Sequence, residues 1–201
     1  MPLAFDLPAE KLGESWIAIS YRSLYGGNHT ARKEGPKTRL GSLAGIASGS
    51  YAREYIAKEA GIPYLRIDNL RRHVLNMGKL DLAHVEASGF PVRGLIKEGD
   101  VLTSRTGTIG RTAVAPPWTS GYALSQHVSR IRLGHASQIS PESLALYLNS
   151  PSGVEQLMSL SAGTTRLELT HEALARVSIP EPPPRQVIRL GGKLKGALRD
   201  Y

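Results

Sequence analysis

The apolar residues of this chain come in short runs broken by glycine and proline, and no single period lasts long. Tyr64-Leu65-Arg66-Ile67, Asp100-Val101-Leu102-Thr103 and Thr112-Ala113-Val114-Ala115 have the length and bounding residues of short strands. From His127 to Leu133 the residues alternate, with Ser129, Ile131 and Leu133 on one face and Val128, Arg130 and Arg132 on the other. That pattern predicts a half-exposed strand from which two arginines project together.

After this strand-rich middle the period lengthens to that of helices. Ser140-Pro141 offers a cap and a first-turn proline ahead of Leu144, Tyr147 and Leu148. Ser150-Pro151 repeats the signal, with Val154, Leu157 and Met158 expected as the buried side of a second helix and Gly163 as its stop. A shorter helix starts at Thr170 and leads into Val177-Ser178-Ile179. Pro180-Glu181-Pro182-Pro183-Pro184 then forbids helix or central strand and marks a stiff boundary. Beyond it Val187, Leu190, Leu194, Ala197 and Tyr201 follow the spacing of a coiled-coil seam. Gly191, Gly192 and Gly196 each weaken that helix by about 1 kcal/mol relative to alanine, so it is expected to need a partner in order to form.

These signals divide the chain into an N-terminal arm at 1–38, turn-rich and without sustained periodicity, a main domain at 39–184, and the start of a partner-binding helix at 185–201. The fold class they predict is α+β, strand-rich through the middle, with helices in the C-terminal half and a short coiled-coil-like helix at the end.

Charge adds a partner class. The net charge is +8, and residues 61–134 carry 10 Lys and Arg against 5 Asp and Glu, so a polyanion such as nucleic acid is favoured and the middle is where it would bind. Without cysteine the chain has neither disulfides nor thiolate chemistry. No run approaches the roughly 18 apolar residues of a membrane span, and Met1 to Glu10 lacks the layout of a signal peptide. A soluble, cytoplasmic protein is expected.

Three segments in fixed order carry a resemblance. The first is Arg39-Leu40-Gly41-Ser42-Leu43-Ala44 followed by Ile62-Pro63-Tyr64-Leu65-Arg66-Ile67-Asp68-Asn69-Leu70. The second runs from Gly99-Asp100-Val101-Leu102-Thr103-Ser104 through Arg105-Thr106-Gly107-Thr108-Ile109-Gly110-Arg111. The third runs from Ser125-Gln126-His127 through Tyr147-Leu148-Asn149-Ser150 and Gly163-Thr164-Thr165 to Ile179-Pro180-Glu181-Pro182-Pro183-Pro184-Arg185-Gln186. Together they resemble the target recognition domains of type I restriction-modification specificity subunits, over about residues 39–190.

The resemblance implies a double-stranded DNA recognition subunit with no chemistry of its own. S-adenosylmethionine is expected on a partner DNA methyltransferase subunit, no cofactor on this chain, and a restriction or translocase subunit joins the same assembly. A full specificity subunit resembles two such domains separated by long antiparallel helices, and this sequence holds one. It therefore fits a half-sized subunit that pairs with itself or with a second recognition domain, a domain detached from a fused methyltransferase, or a protein-interaction remnant.

Base edges are read by paired donors and acceptors, and phosphates by cations and hydroxyls. Candidates for DNA contact are Arg66 and Asn69 at a strand end, Arg71 and Arg72 in the densest basic cluster, and Arg105, Thr106, Thr108 and Arg111 around two glycines. Gln126 and the Thr164-Thr165-Arg166 run complete the set. Each has a plainer reading: Arg105 and Arg111 solvated or paired to Asp100, Arg66 paired to Asp68 or Glu98, Gln126 satisfying buried backbone, and the threonines capping a helix. Tyr51, Tyr55 and Tyr64 suit base stacking or the core. Val187, Leu190, Leu194, Ala197 and Tyr201 are the expected partner-binding positions.

Other function classes find less support. No glycine-rich cofactor loop or Asn/Asp-Pro-Pro-aromatic turn of a methyltransferase occurs, and no third group is placed to orient His127 beside Ser125 for hydrolysis. His and carboxylate spacing shows no metal signature. Gly107-Thr108-Ile109-Gly110 matches the G-x-x-G clamp of KH-type RNA-binding modules, but that clamp joins two helices and this one is expected between strands.

Overall fold

The computed structural model describes residues 36–72, 75, 82–180 and 185–199, with side chains of the last helix given for 188–196. The central element is a four-stranded antiparallel sheet in the order β2-β8-β5-β6, formed by β2 (Ala44–Ser48), β8 (Val128–Leu133), β5 (Val101–Ser104) and β6 (Thr112–Val114). Its register places Ile131 opposite both Ile46 and Val101, and Val101 opposite Val114. One face is therefore a continuous apolar row.

That row packs on the helical layer: α1 (Leu40–Leu43), α2 (Pro141–Leu148), α3 (Pro151–Ser159) and α4 (His171–Ala175). Leu40, Leu144, Leu148, Leu157, Leu169, Leu174 and Val177 close the core against Val101 and Ile131, all inaccessible to solvent. Each of α2, α3 and α4 begins at the cap its sequence announces. The hydroxyls of Ser140, Ser150 and Thr170 accept the amides of Ser143, Gly153 and Ala173, each at 3.1 Å. The expected buried side of α3 needs one correction, because Leu157 is buried but Met158 is 44% exposed. The helix packs through its Leu157 edge, and its neighbour on the next helical step faces outward.

The opposite face of the sheet carries Leu102, Ala113 and Val128 into a second core with Leu65, Leu70, Ile96 and Leu124. This core is covered by a three-stranded sheet in the order β4-β3-β7, made of β4 (Ala83–Val85), β3 (Ile62–Leu65) and β7 (Ala123–Leu124), with β3 and β7 parallel. A third strand pair, β1 (Lys37–Arg39) with β9 (Ser178–Pro180), fastens the start of the domain to its end. Lys37 and Thr38, read above as arm, thus belong to a strand.

Two expectations change with this layering. β8 is paired on both edges and covered on both faces, so it is a central strand and not a half-exposed one. Arg130 and Arg132 do project together, but into the second layer. There the buried Asp100 carboxylate receives Arg132 through two 2.7 Å hydrogen bonds, and Arg130 reaches the Leu95 carbonyl at 3.4 Å. Alternation looks the same whether the polar face meets water or a buried counter-charge.

The second change concerns the terminal helix, α5 (Arg185–Arg199), which packs on α2 of the same domain. Gly191 favours this: a β-carbon there would lie 2.5 Å from Ser143 Oγ and 3.2 Å from the Ser143 amide nitrogen, so a larger residue would have to displace Ser143 or push the helices apart. The glycine that weakens α5 as an isolated helix is what seats it. Leu190 and Leu194 are half-buried. The side chains of Val187 and Ala197, Tyr201, residues 181–184 of the proline run and residues 1–35 lie outside the described residues. Among the described residues no helix is long and apolar enough to cross a membrane.

Candidate nucleic-acid interface

Three connections meet at one end of the two sheets: the 104–111 loop between β5 and β6, the 125–127 turn between β7 and β8, and the 162–168 loop between α3 and α4. The backbone ties them together. Arg105 donates its amide to the His127 carbonyl at 3.0 Å, Gly107 to Leu167 at 3.1 Å, and Leu169 to Arg105 at 2.8 Å. The 162–168 loop is closed at its base by reciprocal bonds between Ala162 and Glu168. Its tip, Gly163 to Arg166, is exposed.

The 104–111 loop is shaped by Ser104, whose hydroxyl donates to the Thr108 carbonyl at 2.5 Å and accepts the Arg111 amide at 2.9 Å. Gly107 and Gly110 turn the chain at φ of 70° and 81°, in the left-handed region where other residues are strained. Gly107 and Thr108 are exposed at the tip, and the Arg166 guanidinium lies beside Gly107. Flanking strands on both sides contradict the two-helix setting of a KH clamp.

A chain of hydrogen bonds crosses the site. The Tyr64 hydroxyl donates to the Ser50 carbonyl at 2.8 Å and lies 3.4 Å from Gln126 Oε1. Gln126 Nε2 is 3.1 Å from His127 Nε2, and His127 Nδ1 is 2.9 Å from Thr106 Oγ1. Burial lowers the pKa of His127, the guanidinium groups of Arg166 and Arg105 lower it further, and Glu168 opposes them. The imidazole is thereby held toward its neutral form.

The predicted residues divide into a frame and a surface. Asn69, 1% exposed, accepts the Arg66 amide at 2.9 Å, and Thr106 is buried against His127. Arg105 pairs with Glu168 at 2.7 Å and donates from Nε to the Leu169 carbonyl at 3.2 Å, so the expected alternative pairing with Asp100 is replaced. Arg71 donates to the Asp68 and Leu70 carbonyls at 2.9 and 3.2 Å. These four build the site. Thr108, Thr164, Thr165 and Arg166 are exposed together, Gln126 and Arg111 are half-buried, and Arg72 is exposed on the β3 side.

Arg66 pairs with neither Asp68 nor Glu98 in an ion pair; its guanidinium carbon sits 5.7 Å from the centre of the Tyr55 ring. The three tyrosines separate: Tyr64 is 2% exposed and belongs to the core, whereas Tyr55 and Tyr51 are 57% and 71% exposed. Tyr55 and Tyr64 rings lie 6.0 Å apart, so the exposed aromatic surface adjoins the Gln126 end of the hydrogen-bonded chain. The sequence reading weighed His127 only beside Ser125 and passed over Glu168, and only the fold brings them against Thr106 and Arg105.

A family model described as a type I restriction modification DNA specificity domain matches residues 36–188. Curated proteins give no match. Among solved structures, one described as the structural basis of complex assembly and conformational transition of the type I R-M system superposes with a TM-score of 0.64. It is 18% identical, over 94% of this chain and 45% of that one. The HsdS subunit from Thermoanaerobacter tengcongensis superposes with a TM-score of 0.59 at 19% identity, over 94% of this chain and 44% of that one. At such identities the likeness is one of fold, and the present chain spans less than half the length of either.

Proposed function

Because the chain belongs to the family of type I restriction-modification DNA specificity domains, we propose that it reads a short double-stranded DNA sequence for a methyltransferase complex. The observation that carries this reading is the gathering of Thr108, Gln126, Thr164, Thr165 and Arg166 around one backbone-tied junction. These are the side-chain types that meet base edges and phosphates, and they stand on loops fixed by two packed sheets. The +8 charge favours the same partner.

In this reading the domain contributes recognition and no bond-making chemistry. S-adenosylmethionine belongs to the methyltransferase subunit with which it assembles, and a translocating nuclease subunit joins the same complex. In this reading a second recognition domain, or a second copy of this one, supplies the other half-site.

Selection from a randomised duplex library with the purified chain, at two salt concentrations and beside a single-stranded RNA pool, tests the proposal. Enrichment of a short duplex motif is expected. Preference for RNA, or duplex binding without any motif, overturns it. Arg105→Ala is a poor probe of the interface, because loss of the Glu168 pair would loosen the loop itself. Arg166→Ala and Gln126→Ala test the surface.

A further inference from the structure

The fold leaves the guanidinium of Arg66 without an acceptor, although the residue is half-buried. Among the described residues it makes no ion pair or side-chain hydrogen bond, and its Nε is sealed from water with no partner. The residue is nevertheless held in place. Asn69 Oδ1 accepts the Arg66 amide at 2.9 Å, and the Asn69 amide donates to the Arg66 carbonyl at 3.0 Å. The Tyr55 ring holds the side chain, its centre 5.7 Å from the guanidinium carbon. Attraction to a ring face uses the charge of the group and none of its N–H bonds, so the terminal donors stay available.

This site adjoins the loop junction. The Tyr64 ring lies 6.0 Å from that of Tyr55, and the Tyr64 hydroxyl lies 3.4 Å from Gln126 Oε1. Tyr55 and Tyr51 are both exposed, so the arginine stands beside aromatic surface that a partner can cover.

We propose that Arg66 reads a guanine of the target through paired donors to O6 and N7, and that Tyr55 is the positioning residue that directs it. The inference rests on the DNA-reading role argued above and assigns one base of the sequence read. A guanidinium donates from every nitrogen and accepts at none, so it fits an edge with two acceptors. In the major groove guanine presents that edge, whereas adenine sets a donor beside N7, thymine a methyl beside O4, and cytosine a donor. A phosphate also has two acceptors, but it asks only for nearby charge, which the exposed Arg53 and Arg72 supply. Arg66 is fixed at its backbone and against a ring, and that gives the direction base reading needs.

The test uses the full chain and a duplex carrying the motif selected from the randomised library. Arg66→Ala and Arg66→Lys are both expected to flatten a guanine preference at the same position and to leave the others intact, because lysine keeps the charge but loses the fork. Replacing that guanine with a deaza analogue that has carbon in place of N7 is expected to weaken the unmodified chain about tenfold, the scale of one bidentate contact. Arg66→Ala is expected to be indifferent to the analogue. The modified base leaves the protein untouched, so this arm does not depend on the folding of a variant. Tyr55→Leu is expected to reduce the same preference, and Tyr55→Phe, which keeps the ring face, to retain it.

If Arg66→Lys keeps the motif while Arg66→Ala weakens every duplex alike and lowers the salt slope by about 1, the arginine serves a phosphate and the inference is overturned. A motif with no guanine that depends on Arg66 overturns it as well, and equal preferences in Tyr55→Leu and the unmodified chain overturn the role of Tyr55. The DNA-reading role stands in each of these cases, since a motif is still selected. If the unmodified chain selects no motif, that role falls and this inference falls with it.

Discussion

Asp100 illustrates how much a single side chain carries in this fold. Its carboxylate is 1% exposed, receives Arg132 through two bonds and accepts the Lys97 amide at 2.8 Å. The hydrogen bond to Asp100 raises the Arg132 pKa. Asp100→Ala leaves a guanidinium between two layers without its counter-charge. Since the Arg132 side chain keeps 35% of its exposure, the cost is discounted to about 2 kcal/mol, measurable as a shift of the urea midpoint. Two histidines add a pH dependence. His127 and His171 both have pKa values lowered by burial and then by nearby arginine, Arg166 and Arg105 for the first and Arg105 for the second. The unfolded chain then takes up protons before the folded one does. Stability is therefore fully present above the unfolded histidine value of about 6.5 and declines as pH falls from there toward the lower folded values. Urea midpoints at two pH values check this, and His171→Gln is expected to flatten part of the decline.

Helices in this domain owe their starts to local chemistry and their places to packing. Ser140, Ser150 and Thr170 each satisfy an orphan amide at a helix N-terminus, and Ser150 does so with no solvent exposure. Ser150→Ala is expected to cost about 1 kcal/mol or somewhat more, because water cannot replace the lost acceptor. Thermal unfolding of the variant reads it directly. The terminal helix makes a different point. Gly191 lets Ser143 approach its Cα closely, and a leucine side chain cannot fit there without moving the helix, so Gly191→Leu is expected to lift α5 from α2. Limited proteolysis should then cut within residues 185–199 at a rate well above that of the unmodified chain, while the sequence preference proposed for the loop end is kept. Unchanged proteolysis would show that the close approach does not hold α5 in place.

At the largest scale, the described residues form a central sheet with an apolar core on each face, and the candidate recognition loops leave from one end of those layers. A positive chain that binds duplex DNA releases counterions, so affinity falls with salt at about −0.9 per phosphate contacted on logarithmic axes. Arg166 is exposed at a loop tip, and its charge helps to lower the His127 pKa. Arg166→Ala is expected to reduce that salt slope by about 1 without altering the fold. Equal slopes for the two proteins would place the phosphate contacts elsewhere.

The one-dimensional pattern was enough for everything that depends on near neighbours. Caps at Ser140, Ser150 and Thr170 and the glycine loop between two strands follow from residues a few positions apart, because their hydrogen bonds close locally, and the strands β3, β5, β6 and β8 were legible from their own short apolar runs although most of their partners are distant in sequence. The motif order was also legible, and with it the family. Long-range neutralisation was not. Nothing in the spacing of Asp100 and Arg132, Arg105 and Glu168, Tyr64 and Gln126, or Thr106 and His127 says that they meet, since each pair is joined through the layering of separate strands and loops. β2, with only Ile46 as a large apolar residue, gave no strand signal because its pairing with β8 holds it in place. Packing thus decided which arginines serve the frame and which remain at the surface. The reason is physical: a charge is free or engaged according to what the rest of the chain brings within about 4 Å of it, and sequence distance carries no record of that.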